Sequence, residues 1–272
     1  MAKEFLLTDQ EFELIAKMVY EACGIVLGSH KREMVYSRLA RRIRVLNLAS
    51  FAQYITYLDQ HKRDEFSHFI NAITTNLTSF FREPYHFDFL RETLIPQILE
   101  RNKSSRRVRI WSAGCSTGEE PYTIAMTLAD KFPSNWDVKI LATDLDSNVL
   151  AKASAGEYAE NSITGLDNGL KKRFFLRNKQ SGLFKVRPEL RDKIYFKRLN
   201  LLQEWPMKGE FDVIFCRNVV IYFDQPTKEL LFQRYAAQLC SQGHLFLGHS
   251  ESMNKTQTEF VALGKTMYRK AL

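Results

Sequence analysis

The fold is decided by residues 108–122, which read VRIWSAGCSTGEEPY. The first six of these residues are mostly apolar and predict a buried strand, and a helix begins near Glu119 with Pro121 in its first turn. The turn between Gly114 and Gly118 lets a ligand approach the backbone at the carboxyl end of the strand, where open α/β sheets bind nucleotides. The stretch therefore predicts the first strand, turn and helix of a ligand-binding α/β sheet.

The composition of this turn indicates which ligand it suits. It lacks the Gly-x-Gly-x-x-Gly fingerprint that presents helix amides to a pyrophosphate, because Cys115 and Ser116 occupy its middle. Glu119 and Glu120 stand at the start of the helix, where acidic side chains disfavour a phosphate and suit a cation. S-adenosylmethionine, a nucleoside with a positive centre and no phosphate, fits this turn better than NAD.

The alternation of helices and strands continues on both sides of this stretch. Residues 84–100 predict a helix, and 138–143 predict a second strand that ends on Asp144. Asp144 is placed to accept hydrogen bonds from ribose hydroxyls. It could equally cap the helix predicted over 147–155, although Asp146 is the better cap. Further elements are predicted over 119–131 (helix), 211–216 (strand), 226–240 (helix), 244–248 (strand) and 267–270 (strand).

Residues 156–198 interrupt this alternation with a polar and basic stretch. It contains two short apolar runs, 184–186 and 194–196, which could pair with each other as strands. The pattern predicts a small β-subdomain inserted into the sheet.

The first 80 residues predict a helical domain instead. Thr8 and Glu11 form a capping box, and Gly24 ends the first apolar-periodic run. Further helices are predicted over 31–46, from Ser50 onward and across 66–73. The sequence thus predicts two domains, a helical domain over 1–83 and an α/β domain over 84–272.

Composition excludes several classes of protein. With 272 residues, 45% apolar and 26% charged, the chain is globular and not disordered. The absence of a signal-peptide pattern and of an apolar run of about 18 residues predicts a cytoplasmic protein. The four cysteines are far apart, so we expect buried, reduced thiols and neither a metal site nor disulfides.

The net charge of +8 is distributed unevenly along the chain. Residues 31–48 hold six basic side chains and one acidic one, and 151–198 hold twelve basic and five acidic. Such patches are compatible with an anionic macromolecular partner or with a solvated face.

Six motifs resemble, in order, those of the CheR family of chemotaxis receptor glutamate O-methyltransferases. They lie at 76–83, 111–122, 142–146, 200–202, 215–224 and 248–252. The helical amino-terminal region and the basic insertion are also similar to that family's layout. The resemblance therefore covers nearly the whole chain.

The resemblance implies an α/β fold with a Rossmann-like S-adenosylmethionine methyltransferase sheet, a small β-subdomain inserted at about 156–198 and an all-α amino-terminal domain. It further implies that Arg82 and Tyr222 are catalytic, with Tyr222 near the transferred methyl group. We hypothesise that both orient the substrate carboxylate or the methionine end of the cofactor. The cofactor-binding residues that it implies are Asn76, Thr78, Arg82, Glu119, Asp144, Asn200, Leu201, Arg217 and Asn218.

The residues agree with this chemistry. A glutamate carboxylate is already an anion at neutral pH, so its methylation requires no general base, and the sequence shows no Ser-His-Asp arrangement. Residues 217–220 lack the Asn/Asp-Pro-Pro-Tyr pattern of amino-group methylating enzymes, which argues against a nucleic acid as partner.

The implied partner is the acidic helical bundle of a chemoreceptor's cytoplasmic domain. Arg38, Arg41, Arg42 and Arg44 are candidates to steer that bundle toward the active site. Contact with a membrane is then only indirect, through the receptor, and we expect a monomer because no apolar repeat is left for an interface. Three alternatives are methylation of RNA or a small molecule, an adaptor that binds the cofactor without turnover and, least favoured, a dehydrogenase.

Overall fold

The structure is a computed structural model that describes residues 4–254 and 258–271. It divides the chain into two units. The first comprises the residues up to 75 together with 222–227, and the second comprises 76–221 and the residues from 228 onward. The chain thus changes unit eight residues before the boundary predicted between 83 and 84.

The segment 76–83 belongs to the second unit because its side chains pack there. The ring centroid of Phe80 lies 4.9 Å from that of Tyr158, in an edge-to-face arrangement. The N–H of Phe81 donates to the hydroxyl of Thr123 at 3.2 Å. The boundary predicted from the sequence placed this segment with the helical domain.

Besides a 3-10 turn at Ser29–Lys31, the first unit contains four complete α-helices in its described part, as predicted. They are α1 (Asp9–Cys23), α2 (Arg32–Val45), α3 (Phe51–Gln60) and α4 (Lys62–Ile73). The capping box is confirmed, since the Thr8 hydroxyl accepts the N–H of Glu11 at 3.2 Å and the Glu11 carboxylate accepts the N–H of Thr8 at 2.7 Å. Gly24 ends α1 with a φ of 70°.

After α4 the chain continues with a long helix and the α/β elements. They are α5 (Tyr85–Phe89), a π-turn (Leu90–Leu94), α6 (Ile95–Arg101), β1 (Arg107–Ala113), α7 (Glu119–Leu128), β2 (Asp137–Asp144), α8 (Ser147–Ala155), β3 (Glu157–Tyr158), α9 (Glu160–Ile163), α10 (Asn168–Phe174), β4 (Phe175–Arg177), β5 (Phe184–Val186), α11 (Pro188–Arg191), β6 (Ile194–Arg198), β7 (Phe211–Cys216), α12 (Gln225–Gln238), β8 (Leu239–Leu247), β9 (Phe260–Gly264) and β10 (Met267–Lys270). A short 3-10 turn covers Val220–Tyr222.

The main sheet confirms the predicted Rossmann-like α/β class. Its strand order is β6-β2-β1-β7-β8-β10-β9. The first five of these strands run parallel, and β10 is antiparallel to both of its neighbours. The order reverses at β1, because the chain first adds β2 and β6 on one side and then β7 and β8 on the other. Open α/β sheets bind ligands at such a reversal, outside the carboxyl ends of the strands.

The inserted subdomain corrects one strand pairing. We expected 184–186 to pair with 194–196, but β5 pairs with β3 and β4 in a three-stranded antiparallel sheet. β6 instead joins the main sheet in parallel beside β2, with Ile194 opposite Ile140. Two short apolar runs close in sequence do not reveal that one of them pairs with a strand that ends about 50 residues earlier.

Other predictions are confirmed with small changes. The helix predicted over 119–131 ends at Leu128, and the strand β9 was not predicted. The cysteines are free, and Cys23, Cys115 and Cys216 are buried. Within the described residues, none of the helices combines the length and the apolarity that crossing a membrane requires.

Candidate active site

Five of the predicted cofactor residues lie at the carboxyl ends of neighbouring strands in the second unit. Glu119 follows β1 across a turn, Asp144 ends β2, Asn200 and Leu201 follow β6, and Asn218 follows β7. Because β6, β2, β1 and β7 are adjacent and parallel, their carboxyl ends share one edge of the sheet. The structure therefore brings these five residues to the edge where nucleotide ligands bind.

The turn after β1 depends on its two glycines. Gly114 and Gly118 have φ values of 93° and 97°, in the left-handed region that favours glycine. A Cβ on Gly114 would lie 2.4 Å from Cγ2 of Val219, and one on Gly118 would lie 2.9 Å from Cβ of Ala153. The turn thus packs tightly against α8 and the loop after β7, which fixes its backbone.

Asp144 retains capacity to bind a ligand. Its Oδ2 accepts the N–H of Ser116 at 2.8 Å, and its Oδ1 accepts the N–H of Asp146 at 3.0 Å. A carboxylate has about four acceptor positions, so it can still accept ribose hydroxyls. Burial raises the pKa of Asp144 above its ordinary value.

Asp146, and not Asp144, caps the following helix. Its Oδ1 accepts the N–H groups of Asn148 and Val149 at the start of α8. Its Oδ2 accepts a hydrogen bond from Nδ2 of Asn76 at 2.9 Å. Because Asp146 makes the cap, the acceptor positions of Asp144 are left for another role.

Asn76 opens a segment that also carries Thr78 and Arg82, all three half-buried. The carbonyl of Asn76 accepts the Ser116 hydroxyl at 2.8 Å, which ties this segment to the turn after β1. The Arg82 guanidinium donates to the carbonyl of Leu77 at 2.9 Å and forms no ion pair with any residue that the structure describes. It keeps donors for an acidic ligand.

Of the two glutamates at the start of α7, only Glu119 can serve a ligand. The Thr117 hydroxyl donates to its carboxylate at 2.6 Å, and burial raises its pKa above the ordinary 4.5. Glu120 is engaged inside the protein, because its carboxylate accepts hydrogen bonds from Ser112 at 2.6 Å and from Nε of Arg217 at 2.7 Å.

Arg217 is the centre of this buried network. Its side chain is 3% exposed, and Nη1 donates to the carbonyl of Arg82 at 2.6 Å and lies 3.3 Å from Oε2 of Glu83. Its guanidinium carbon lies 5.0 Å from the ring centroid of Phe87. The side chain of Arg217 is therefore held within the protein, which leaves only its backbone available for the predicted cofactor contact.

Two residues beside the predicted ones were missed by sequence reasoning. Glu83 binds Arg217, and Glu251 accepts the N–H of Asn218 at 2.7 Å. Both lie inside motifs that identified the family, but a surface glutamate and a buried one look alike in sequence. Asn218 itself has a φ of 59°. The carboxamide oxygen of Asn200 accepts the N–H of Leu202 at 3.0 Å.

Tyr222 belongs to the first unit, in the short segment 222–227. Its carbonyl accepts the N–H of Val26 at 2.9 Å, and the ammonium of Lys31 lies 5.2 Å from its ring centroid. In the same unit, the Tyr20 hydroxyl donates to Asp224 at 2.7 Å. The polypeptide that follows Asn218 therefore continues into a segment anchored among the helices.

The four arginines of α2 that were predicted to bind the receptor divide into two pairs. Arg38 donates to the carbonyl of Ile73 at 2.5 Å, and Arg42 forms a two-bond ion pair with Glu65, which is 2% exposed. Arg41 and Arg44 are exposed. Arg38 and Arg42, which are four residues apart on one helix face, are half-buried and bonded within the first unit. Arg41 and Arg44 are therefore the more accessible candidates for the predicted contact with a partner.

The strand order, the acid at the end of β2 and the turn suited to a cation define a class, the S-adenosylmethionine-dependent methyltransferases. The residues present fit this cofactor, since Asp144 keeps free acceptor positions and Glu119 is a buried acid at the start of α7. Two family models match, the CheR methyltransferase all-alpha domain over residues 10–74 and the CheR methyltransferase SAM binding domain over 76–269. The chain belongs to the CheR methyltransferase family.

Curated relatives match along nearly the whole chain. The chemotaxis protein methyltransferase of Escherichia coli K12 is 42% identical over 275 residues, covering 98% of this chain and 93% of the relative. Chemotaxis protein methyltransferase 2 of Pseudomonas aeruginosa is 44% identical over 273 residues, covering 99% and 96%. The protein is therefore a methyltransferase with S-adenosylmethionine as its cofactor.

Proposed function

We propose that the protein transfers the methyl group of S-adenosylmethionine to glutamate side chains of a chemoreceptor's cytoplasmic domain, giving methyl esters during sensory adaptation. The observation that supports this most directly is the similarity over 98% of the chain to a relative named chemotaxis protein methyltransferase. The protein would act in the cytoplasm, as a monomer, on the receptor's helical bundle, and would meet the membrane only through the receptor.

The cofactor, when bound, supplies a methyl group on a positively charged sulfur. Because the acceptor carboxylate is already ionised at neutral pH, the protein needs to supply no base. Its task is to orient the two groups and to exclude water from them. We assign the orientation of the carboxylate, or of the methionine end of the cofactor, to the guanidinium of Arg82 and the hydroxyl of Tyr222.

The other predicted residues would bind the cofactor. Asp144 would accept the ribose hydroxyls and Glu119 would face the positively charged part. Asn76, Thr78, Asn200, Leu201, Asn218 and the backbone at Arg217 would line the remainder of the site.

We expect Asp144→Asn to weaken the binding of S-adenosylhomocysteine by about 10- to 100-fold, since a hydrogen bond to a charged acceptor contributes about 1.5–3 kcal/mol. Isothermal titration calorimetry measures this effect. Asp137→Asn is a matched control, because Asp137 lies at the opposite end of β2 and is exposed. Equal affinities of the Asp144→Asn variant and the unmodified protein would show that Asp144 does not bind the ribose.

We also expect cofactor affinity to depend on pH through Glu119. Burial raises its pKa, so Glu119 takes up a proton at a higher pH than an ordinary glutamate and loses its attraction for a cation as the pH falls. Affinity for S-adenosylmethionine should therefore decrease on acidification, and Glu119→Gln should show weaker binding at neutral pH with a shallower pH profile. Asp144 contributes to the pH profiles of both the unmodified protein and Glu119→Gln, so the difference between the two profiles reports on Glu119. Parallel profiles would contradict its role.

Receptor methylation should depend on the exposed arginines of α2. We expect Arg41→Ala/Arg44→Ala to lower kcat/KM for a receptor fragment about threefold to tenfold at low salt, with S-adenosylhomocysteine affinity unchanged, because rim charges act mainly on encounter. The loss should shrink as salt is added. Lys17→Ala/Arg63→Ala, a pair of exposed basic residues on α1 and α4, is the control. A loss of equal size in that control would assign the effect to net charge alone.

Mass spectrometry tests the acceptor. A chemoreceptor cytoplasmic fragment incubated with the protein and S-adenosylmethionine should gain methyl groups on glutamate side chains. Methyl groups found on lysine or arginine, or on RNA and not on the fragment, would overturn the proposal.

A further inference from the structure

The loop after β7, residues 217–221, is held by a carboxylate that no cofactor or substrate role explains. Glu251 lies in the segment that follows β8. Its Oε2 accepts the N–H groups of Asn218 at 2.7 Å and Gly248 at 2.6 Å, and its Oε1 accepts the N–H of Ile221 at 3.1 Å. One side chain thus ties together both ends of the loop and the end of β8.

The environment of Glu251 makes these bonds strong. The residue is 3% exposed and forms no ion pair with any lysine or arginine in the described part of the chain. Burial raises its pKa, and the N–H groups of Gly248, Asn218, Ile221 and Val219 oppose that shift. A buried carboxylate without a cation nearby depends on such backbone donors for its stability.

The segment that follows β8 and the loop after β7 also pack closely against each other. A Cβ on Gly248 would lie 2.4 Å from Nδ2 of Asn218 and 2.8 Å from its backbone nitrogen. Asn218 has a φ of 59°, in the left-handed region that asparagine adopts more readily than most other residues with a side chain. The position of the Asn218 carboxamide is therefore set by Glu251 and by the absence of a side chain at Gly248.

We propose that Glu251 is a positioning residue for cofactor binding, acting through the backbone of residues 218–221 to hold the Asn218 side chain at the carboxyl-end edge of the sheet. This inference rests on the cofactor role proposed for Asn218. The motif at 248–252 would then act in cofactor binding through Glu251.

Calorimetric titration of the full chain with S-adenosylhomocysteine tests the proposal. We expect Glu251→Gln to weaken binding about tenfold, because one acceptor oxygen becomes an NH₂ group that faces a backbone N–H. In a variant that already carries Asn218→Ala, Glu251→Gln should weaken binding less than about threefold. The effects of substituting two residues that act through the same contact are not additive. Ser250→Ala, at an exposed neighbour of Glu251, should bind as the unmodified protein does.

Two results would overturn the proposal. The first is unchanged affinity in Glu251→Gln, and the second is a tenfold loss that persists in full when Asn218 is already alanine, as a general structural role requires. Glu251→Asp, which keeps the charge on a shorter side chain, gives the same comparison should the Gln variant fail to fold. S-adenosylhomocysteine binding needs no methyl acceptor, so an error in the glutamate assignment alters none of these affinities.

Discussion

Tyr222→Phe is expected to lower kcat for receptor methylation by about two orders of magnitude, the size of effect seen when one preorganised donor is removed from an active site. The affinity for S-adenosylhomocysteine should change by less than about twofold, because an interaction used only in the transition state lowers kcat and not binding. Initial rates at saturating S-adenosylmethionine and calorimetry together separate these quantities.

The substitution is specific because phenylalanine keeps the other contacts of Tyr222. The carbonyl that accepts the N–H of Val26 is unaffected, and the ring remains beside the ammonium of Lys31. Tyr20→Phe is the matched control, since it removes a hydroxyl that donates to Asp224 in the same segment. Equal losses of turnover and cofactor affinity in Tyr222→Phe would refute a role for the hydroxyl in the chemical step.

Arg217→Met is expected to lower the free energy of unfolding by about 3–5 kcal/mol, the cost of removing one member of a buried ion pair. The variant leaves Glu120 and Glu83 with buried negative charge, and both side chains are less than 10% exposed. The neutral His86 completes the arrangement. Burial lowers its pKa to about 4, so its Nδ1 can accept a hydrogen bond from the guanidinium 3.3 Å away.

Urea unfolding followed by tryptophan fluorescence measures this effect. The three tryptophans of the chain, Trp111, Trp136 and Trp205, all lie in the second unit, so the signal reports on the unit that contains Arg217. Arg173→Met is the control, because the ion pair of Arg173 with Asp130 is exposed and such pairs contribute at most about 1 kcal/mol. A loss in Arg217→Met no larger than in the control would contradict the network's structural role.

The fold was predictable because its signals are local. The capping box at Thr8, the glycine stop at Gly24 and the alternation around 108–122 each determine structure within a few residues of themselves. The pairing of β6 was not predictable, because its partner β2 lies far away in sequence. The edge strand β9 was missed since only its first residue is buried.

The positions of the candidate site residues in the fold were predictable from the sequence, but their contacts were not. The position of Asp144 at the end of β2 follows from strand periodicity, and Asp146 showed the capping pattern of its position. Arg42 and Arg217 could not be assigned from sequence, because a buried arginine is recognised only by the carboxylates that surround it in the fold. Glu251 was missed for a similar reason, because its partners are backbone amides from two separate loops that only the fold brings together.

The most direct test of the central claim uses S-adenosylmethionine labelled in its methyl group. The protein and a chemoreceptor cytoplasmic fragment are incubated with it, and the labelled fragment is then treated with alkali. Methyl esters release methanol under base and N-methyl groups do not, so the account predicts volatile label that falls sharply in the Tyr222→Phe variant. Label that stays on the fragment after alkali, or a fragment that remains unlabelled although the cofactor binds, would contradict glutamate methylation.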